Sequence, residues 1–261
     1  MKMENKMKYL IIPDVHGRDF WKEPVKETLN NSDSEIIFLG DLLDPYPDEW
    51  EKHFDYKTHA FENFKEILQL KKDNPDRITL LLGNHDCTYA IGTDICDCRR
   101  DKKRYKEIVM LFEENRKLFQ LAKEDTINGK HFIFSHAGIL KGWVEAFFGN
   151  KMNREDFNIV DELNDAWKND HYGVLETLGV YDIYRGWGGG RYGSPVWSDI
   201  RSWENKTEED TYGFNIVGHT YLLKKPLVFP AIACLDFRRS YILDEEGKIR
   251  EYDNIENIIK N

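Results

Sequence analysis

Glu35-Ile-Ile-Phe-Leu-Gly40-Asp41-Leu-Leu-Asp44 sets the reading of the whole chain. Residues 35–39 have the Ile, Phe and Leu content of a buried strand, and the run breaks at a glycine followed by two carboxylates three positions apart. The same arrangement recurs. Residues 9–12 run into Asp14-Val-His16, residues 78–82 into Gly83-Asn84-His85-Asp86, residues 131–134 into Ser135-His136-Ala137-Gly138, and residues 214–217 into Gly218-His219-Thr220. Strand ends of an α/β sheet open on one edge, so side chains just past each strand can converge although they span roughly two hundred residues.

The residues in these motifs offer carboxylate, imidazole and amide oxygen, which suit divalent Mn, Fe, Zn or Mg and need no thiolate. The pattern predicts two ions. Asp14, His16 and Asp41 hold the first, with Asp41 able to bridge, and Asn84, His136 and His219 complete the second. One Asp-x-His or Gly-Asp alone would be an ordinary strand ending; each motif lying behind its own apolar run makes them a set.

In these motifs the chain resembles the calcineurin-like metallophosphoesterases, and within them the phosphoprotein phosphatase branch. Asp14 to Gly17 matches its Asp-x-His-Gly, Gly40, Asp41 and Asp44 its Gly-Asp-x-x-Asp, and Gly83-Asn84-His85 its Gly-Asn-His; His136 with Gly138 and Gly218-His219 match the last two elements. The resemblance covers residues 8–44, 78–86, 131–139 and 214–220, about a quarter of the chain. It implies a four-layer αββα sandwich of two mixed sheets flanked by helices, where the residues alone imply only mixed α/β. It also implies in-line attack on phosphorus by water activated between two ions, with Mn²⁺ the first expectation and Fe, Zn, Ni or Mg the alternatives. His85 would protonate the leaving oxygen and Asp44 would orient His85, Asp86 being the rival partner.

The chain departs from that branch at three points. Pro45 stands where an arginine usually helps to hold the substrate phosphate, so that role falls to another cation. Tyr221 stands where many relatives outside the branch carry a further histidine ligand. Trp197-Ser198-Asp199 looks like the branch's Trp-Ser-Asp, but no arginine follows at the usual distance; Arg185, Arg191 and Arg201 are the candidates for phosphate binding.

A net charge of −10, from 37 basic and 47 acidic residues, argues against broad binding to nucleic acid or anionic membrane. The densest basic run is Arg99, Arg100, Lys102, Lys103, Arg104 and Lys106, which reads as a solvated helix start that could also lie near the site mouth. No apolar run approaches the about eighteen residues of a membrane span, and the first residues lack a signal peptide's apolar stretch, so the expected location is the cytoplasm. Cys87, Cys96, Cys98 and Cys234 fit no usual zinc spacing and are expected as free thiols.

Two amphipathic segments separate the strands. Phe61, Phe64, Ile67 and Leu68 recur at helical spacing before Asn74-Pro75, as do Tyr105, Ile108, Val109, Phe112 and Phe119 in the next long segment. After the last motif, residues 231–235, 241–243 and 248–252 read as strands and point to a second sheet. The chain reads as a single domain over 1–261 with a cap-like insertion at 143–213, whose residues 181–203 combine glycine, aromatics and arginine in a way suited to substrate selection.

The expected activity is hydrolysis of phosphomonoesters of the phosphoserine or phosphothreonine type, with a phosphorylated molecule as the partner. The alternative is a dinucleoside polyphosphate hydrolase or phosphodiesterase using the same metal core. A non-catalytic scaffold is disfavoured because Asp14, His16, Asp41, Asn84, His85, His136 and His219 are all present.

Overall fold

The computed structural model describes residues 6–91, 99–170, 172–185 and 190–253. It divides into two compact units, Met1–Phe119 with Arg238–Asn261, and Gln120–Phe237. Each carries a mixed sheet flanked by helices, the α/β class expected above. The strands in chain order are β1 (Met7–Ile12), β2 (Glu35–Phe38), β3 (Ile78–Leu81), β4 (Phe119–Gln120), β5 (Ala122–Ile127), β6 (Lys130–Ser135), β7 (Phe214–Val217), β8 (Leu227–Phe229), β9 (Ile232–Cys234), β10 (Tyr241–Asp244) and β11 (Ile249–Glu251). The α-helices are α1 (Lys22–Asn31), α2 (Tyr56–Asp73), α3 (Asn84–Ala90), α4 (Tyr105–Glu114), α5 (Lys141–Phe148), α6 (Ile159–Lys168) and α7 (Tyr172–Leu175). None among the described residues is long and apolar enough to cross a membrane.

In the first unit the sheet runs β11-β10-β1-β2-β3-β4, with β1, β2 and β3 parallel and their central residues fully buried. That double-sided burial is why these strands read as continuous apolar runs rather than alternating ones. Helix α2 starts at Asp55, whose carboxylate accepts the Thr58 N–H at 3.1 Å, and it turns Phe61, Phe64, Ile67 and Leu68 inward. Phe64 meets Phe112 at 4.9 Å between ring centroids, and Phe112 meets Phe119 at 5.0 Å. Phe119 is not helical, contrary to its spacing: α4 ends at Glu114, and Phe119 reaches the same cluster from β4. Seven positions from Phe112 satisfy either a helix or a turn followed by a strand, and packing decides between them.

In the second unit the order is β5-β6-β7-β9-β8, with β6, β7 and β9 parallel. Strand β5 carries no apolar run because it is a polar edge, Ala-Lys-Glu-Asp-Thr-Ile. Its signal was the following Asn128-Gly129, both at positive φ (49° and 76°), the dipeptide of a two-residue hairpin turn into β6. The strands after the last motif divide: β9 joins this sheet, whereas β10 pairs antiparallel with β1 and β11 with β10 in the first unit. Residues 143–213 all belong to the second unit, where Trp143, Trp167 and Trp203 are buried. Trp203 packs with Leu140, Val217, Leu222 and Ile232, so part of the aromatic segment is core. Residues 186–189 of that segment, with His171, Cys96 and Cys98, lie outside the described residues.

Candidate active site

Three strand ends of the first unit are tied together by their own backbones. Past β1 the chain turns through His16 (φ 45°) and Gly17 (φ 73°), and past β2 through Gly40 (φ 102°), Asp41 (φ 51°) and Asp44 (φ 62°). Side chains at positive φ are strained, and such strain concentrates where function needs a group aimed against preference. Here it is held by hydrogen bonds: the His16 N–H donates to the Asp41 carbonyl at 2.7 Å and the Gly17 N–H to the Leu42 carbonyl at 3.1 Å. The third motif fits only because it carries glycine, since a Cβ on Gly83 would lie 2.1 Å from Asp41 Oδ1 and 2.5 Å from Asp41 N. Gly83→Ala should therefore cost about 1–3 kcal/mol of stability through overpacking and weaken metal binding, because the Asp41 carboxylate is what must move. A thermal melt and a metal titration check this, and a variant unchanged in both would refute the tight approach.

Asp14, His16, Asp41, Asp44, Asn84 and His85 are all buried in this unit. His16 Nδ1 lies 2.9 Å from the Leu43 carbonyl, a bond that requires the proton on Nδ1 and leaves the Nε2 lone pair for a ligand. Nε2 faces Asp41 Oδ2 at 3.5 Å and Asp14 Oδ2 at 3.9 Å. Burial, then the nearby charge of His85, keeps His16 well below the ordinary histidine range. Burial pushes Asp41 well above the ordinary carboxylate range, the neighbouring Asp14 and Asp86 adding to the effect against His85. One ligand atom each from His16, Asp41 and His85 lies within 4.8 Å of the others. A neutral imidazole and crowded carboxylates are a donor set a divalent cation fits, because its charge removes the repulsion burial leaves.

His85 has a second set of partners. Its Nδ1 lies 2.9 Å from Asp44 Oδ2, and the other Asp44 oxygen accepts the Tyr89 hydroxyl at 2.6 Å. The Tyr89 oxygen in turn accepts the Asp101 N–H at 2.8 Å. Asp86, the rival partner, is engaged elsewhere: its two oxygens accept the Leu42 and Gly83 N–H groups, each at 3.0 Å. Asp41 Oδ1 accepts the His85 N–H at 2.9 Å, fixing the imidazole against the carboxylate beside it. Tyr89 belongs to none of the strand-end motifs, although a position four residues after His85 on α3 shares its helix face. The Cys87 thiol is raised well above its usual range by burial, which leaves it protonated.

In the second unit His136 follows β6 and His219 (φ 66°) follows β7. The Gly218 N–H donates to the His136 carbonyl at 2.9 Å, and His136 Nε2 comes 3.1 Å from His219 Nδ1. Two ring nitrogens about 2.1 Å from one ion would sit at about this separation. Of the three candidate arginines, Arg185 comes nearest this motif, its Nη2 donating to Thr220 Oγ1 at 2.6 Å. Its Nε lies 2.6 Å from Asp199 Oδ2 as an ion pair, without a hydrogen bond's alignment. Arg201 is turned onto Asp199 Oδ1 (2.8 Å) and the Tyr184 carbonyl (2.9 Å), and Arg191 lies over the Tyr192 ring. Burial opposes ionisation of Asp199, but the Arg201 hydrogen bonds outweigh it and hold the carboxyl below its usual range.

The sequence matches the family model of calcineurin-like phosphoesterases over residues 7–222. The chain belongs to this family. It is accordingly a metal-dependent hydrolase of phosphate esters, and the donor set around His16 and Asp41 fits that chemistry. No curated protein matches the chain in sequence. Among solved structures, a cold-active protein-tyrosine phosphatase of a Shewanella species is similar at 15% identity, covering 94% of this chain and 80% of that one, with a TM-score of 0.55. A protein serine/threonine phosphatase from Saccharomyces cerevisiae is similar at 13% identity, over 98% of this chain and 82% of that one, with a TM-score of 0.54. At these identities the two structures establish a shared fold. Strand-end motifs carry the family resemblance, while Tyr89 and Arg99 reach the site from positions the motifs do not include.

Proposed function

We propose that the chain hydrolyses phosphomonoesters in the manner of a phosphoserine or phosphothreonine phosphatase, using two divalent ions. In the first unit Asp14, His16, Asp41 and Asn84 serve as ligands, and in the second His136 and His219 do. The observation that carries the reading is the Asp44–His85 pair, 2.9 Å from carboxylate to imidazole, in the same buried cluster as His16 and Asp41. When bound, the ions activate the attacking water and neutralise charge on the phosphate.

The chain's own groups do the rest. Asp44, held by Tyr89, keeps one His85 proton on Nδ1 and so leaves Nε2 as the end that carries the transferred proton. Protonated His85 then delivers the Nε2 proton to the leaving alkoxide. Asp41 orients the peptide of His85 through its N–H and so sets the imidazole's place. Arg185, braced by Asp199 and Thr220, is the arginine of the second unit best placed to meet phosphate. Mn²⁺ is the ion to test first.

The test is hydrolysis of p-nitrophenyl phosphate, its bis ester and diadenosine tetraphosphate by metal-stripped protein titrated with Mn²⁺. Mn-dependent turnover with the monoester preferred is the expected result. Preference for the bis ester or the dinucleotide would overturn the monoesterase assignment.

A further inference from the structure

After α3 the chain returns to the site at Arg99. The Arg99 Nε donates to the Asp44 carbonyl at 3.1 Å, and the guanidinium carbon lies 3.6 Å from the centroid of the Tyr46 ring, close enough to stack on its face. One Arg99 Nη lies 3.4 Å from His85 Nε2. Since His85 Nδ1 is engaged with Asp44, Nε2 is the working end of that ring, and a guanidinium edge stands directly at it.

The other arginines of the first unit nearby are differently engaged. Arg18 forms a fork with Glu49, at 2.6 and 2.9 Å, and Arg104 donates to Asp101 at 2.7 Å. Among the described residues no carboxylate pairs with Arg99, and no oxygen accepts from its remaining Nη. A half-buried guanidinium normally meets a carboxylate or a phosphate with both arms of its fork. Tyr46 and the Asp44 carbonyl fix the plane and leave the Nη edge directed toward the proton donor of the reaction. An oxyanion there would accept from Arg99 while its ester oxygen lay beside His85.

We propose that Arg99 is a substrate-binding residue, whose Nη groups hold an oxygen of the phosphomonoester dianion next to His85 and hold inorganic phosphate after the reaction. It would supply the cation that the second motif lacks at Pro45, from a position after the third. The inference rests on the phosphomonoesterase reading above.

The experiment compares Mn²⁺-loaded wild type, Arg99→Ala and Arg99→Lys in KM and kcat for p-nitrophenyl phosphate, in inhibition by inorganic phosphate, and in the thermal shift that phosphate produces. Loss of a charge-assisted fork is expected to raise KM and the phosphate inhibition constant by about 10- to 100-fold. The phosphate-induced thermal shift should shrink accordingly while metal content is retained. Arg99→Lys should recover part of the affinity, as a point charge without the fork. Unchanged phosphate affinity, whether or not kcat falls, would overturn the inference, a fall in kcat alone meaning that Arg99 only positions Asp44 and His85. If Arg99→Ala does not fold, Arg99→Gln, which keeps a donor for the Asp44 carbonyl, carries the same comparison. Wild type that neither turns over monoesters nor binds phosphate would instead defeat the functional reading itself, an outcome visible before any variant is compared.

Discussion

Asp41→Asn should reduce Mn-dependent hydrolysis of p-nitrophenyl phosphate by about three orders of magnitude or more, a loss of about 4 kcal/mol in transition-state stabilisation at about 1.4 kcal/mol per tenfold. Three contacts meet on this residue. Its carbonyl accepts the His16 N–H, its Oδ1 the His85 N–H, and its Oδ2 lies 3.5 Å from His16 Nε2. An amide can replace one acceptor but brings an NH₂ and no charge to the other side, where the proposed cation would be held. The same substitution should not destabilise the metal-free protein. Burial raises Asp41 well above its ordinary value, so in the metal-free state its contribution to stability is lost as pH rises from the ordinary carboxylate range through that raised value. Removing the charge relieves that loss. Turnover, metal content and the metal-free thermal midpoint are the measurements. Asp41→Asn retaining a tenth of wild-type turnover, or melting well below wild type without metal, would refute the assignment.

The second large effect is expected at His85. His85→Ala should lower kcat for an alkyl substrate such as a phosphoserine peptide by about 10²- to 10⁴-fold, the usual range for a positioned acid. The loss on p-nitrophenyl phosphate should be much smaller, because p-nitrophenolate departs without protonation. This contrast separates the acid role from a ligand role, which matters because His85 also lies within 4.8 Å of ligand atoms on His16 and Asp41. Equal losses on both substrates accompanied by loss of metal would make His85 a ligand. Tyr89→Phe should resemble a weaker His85 variant, since it removes the hydroxyl that both holds Asp44 and accepts the Asp101 N–H.

The candidate site is legible in the sequence to the extent that burial and chemistry pull in opposite directions along the chain. A strand buried on both faces must be apolar throughout, so a carboxylate or imidazole at its end stands out, as at Asp14, Asp41, His85, His136 and His219. Edge strand β5 is not legible for the converse reason, its polar face being no different from a loop. Residues 241–243 and 248–252 read as strands, but a local pattern carries no information about which sheet a strand joins, and β10 and β11 lie with β1.

The sequence by itself determined the α/β class, the positions of the strands that bear motifs and the chemical types of the groups at their ends, because these follow from residue composition over a few neighbouring positions. Only the tertiary structure decided that Asp44 and not Asp86 pairs with His85, that Asp86 instead clamps the Leu42 and Gly83 amides, and that Arg99 comes to stand at His85 Nε2. Those pairings depend on turns held at positive φ at Asp41 and Asp44 and on contacts between residues far apart in the chain. Spacing cannot supply them, since two carboxylates in one turn or helix start are equivalent until the backbone directs one toward the imidazole and the other toward its own amides.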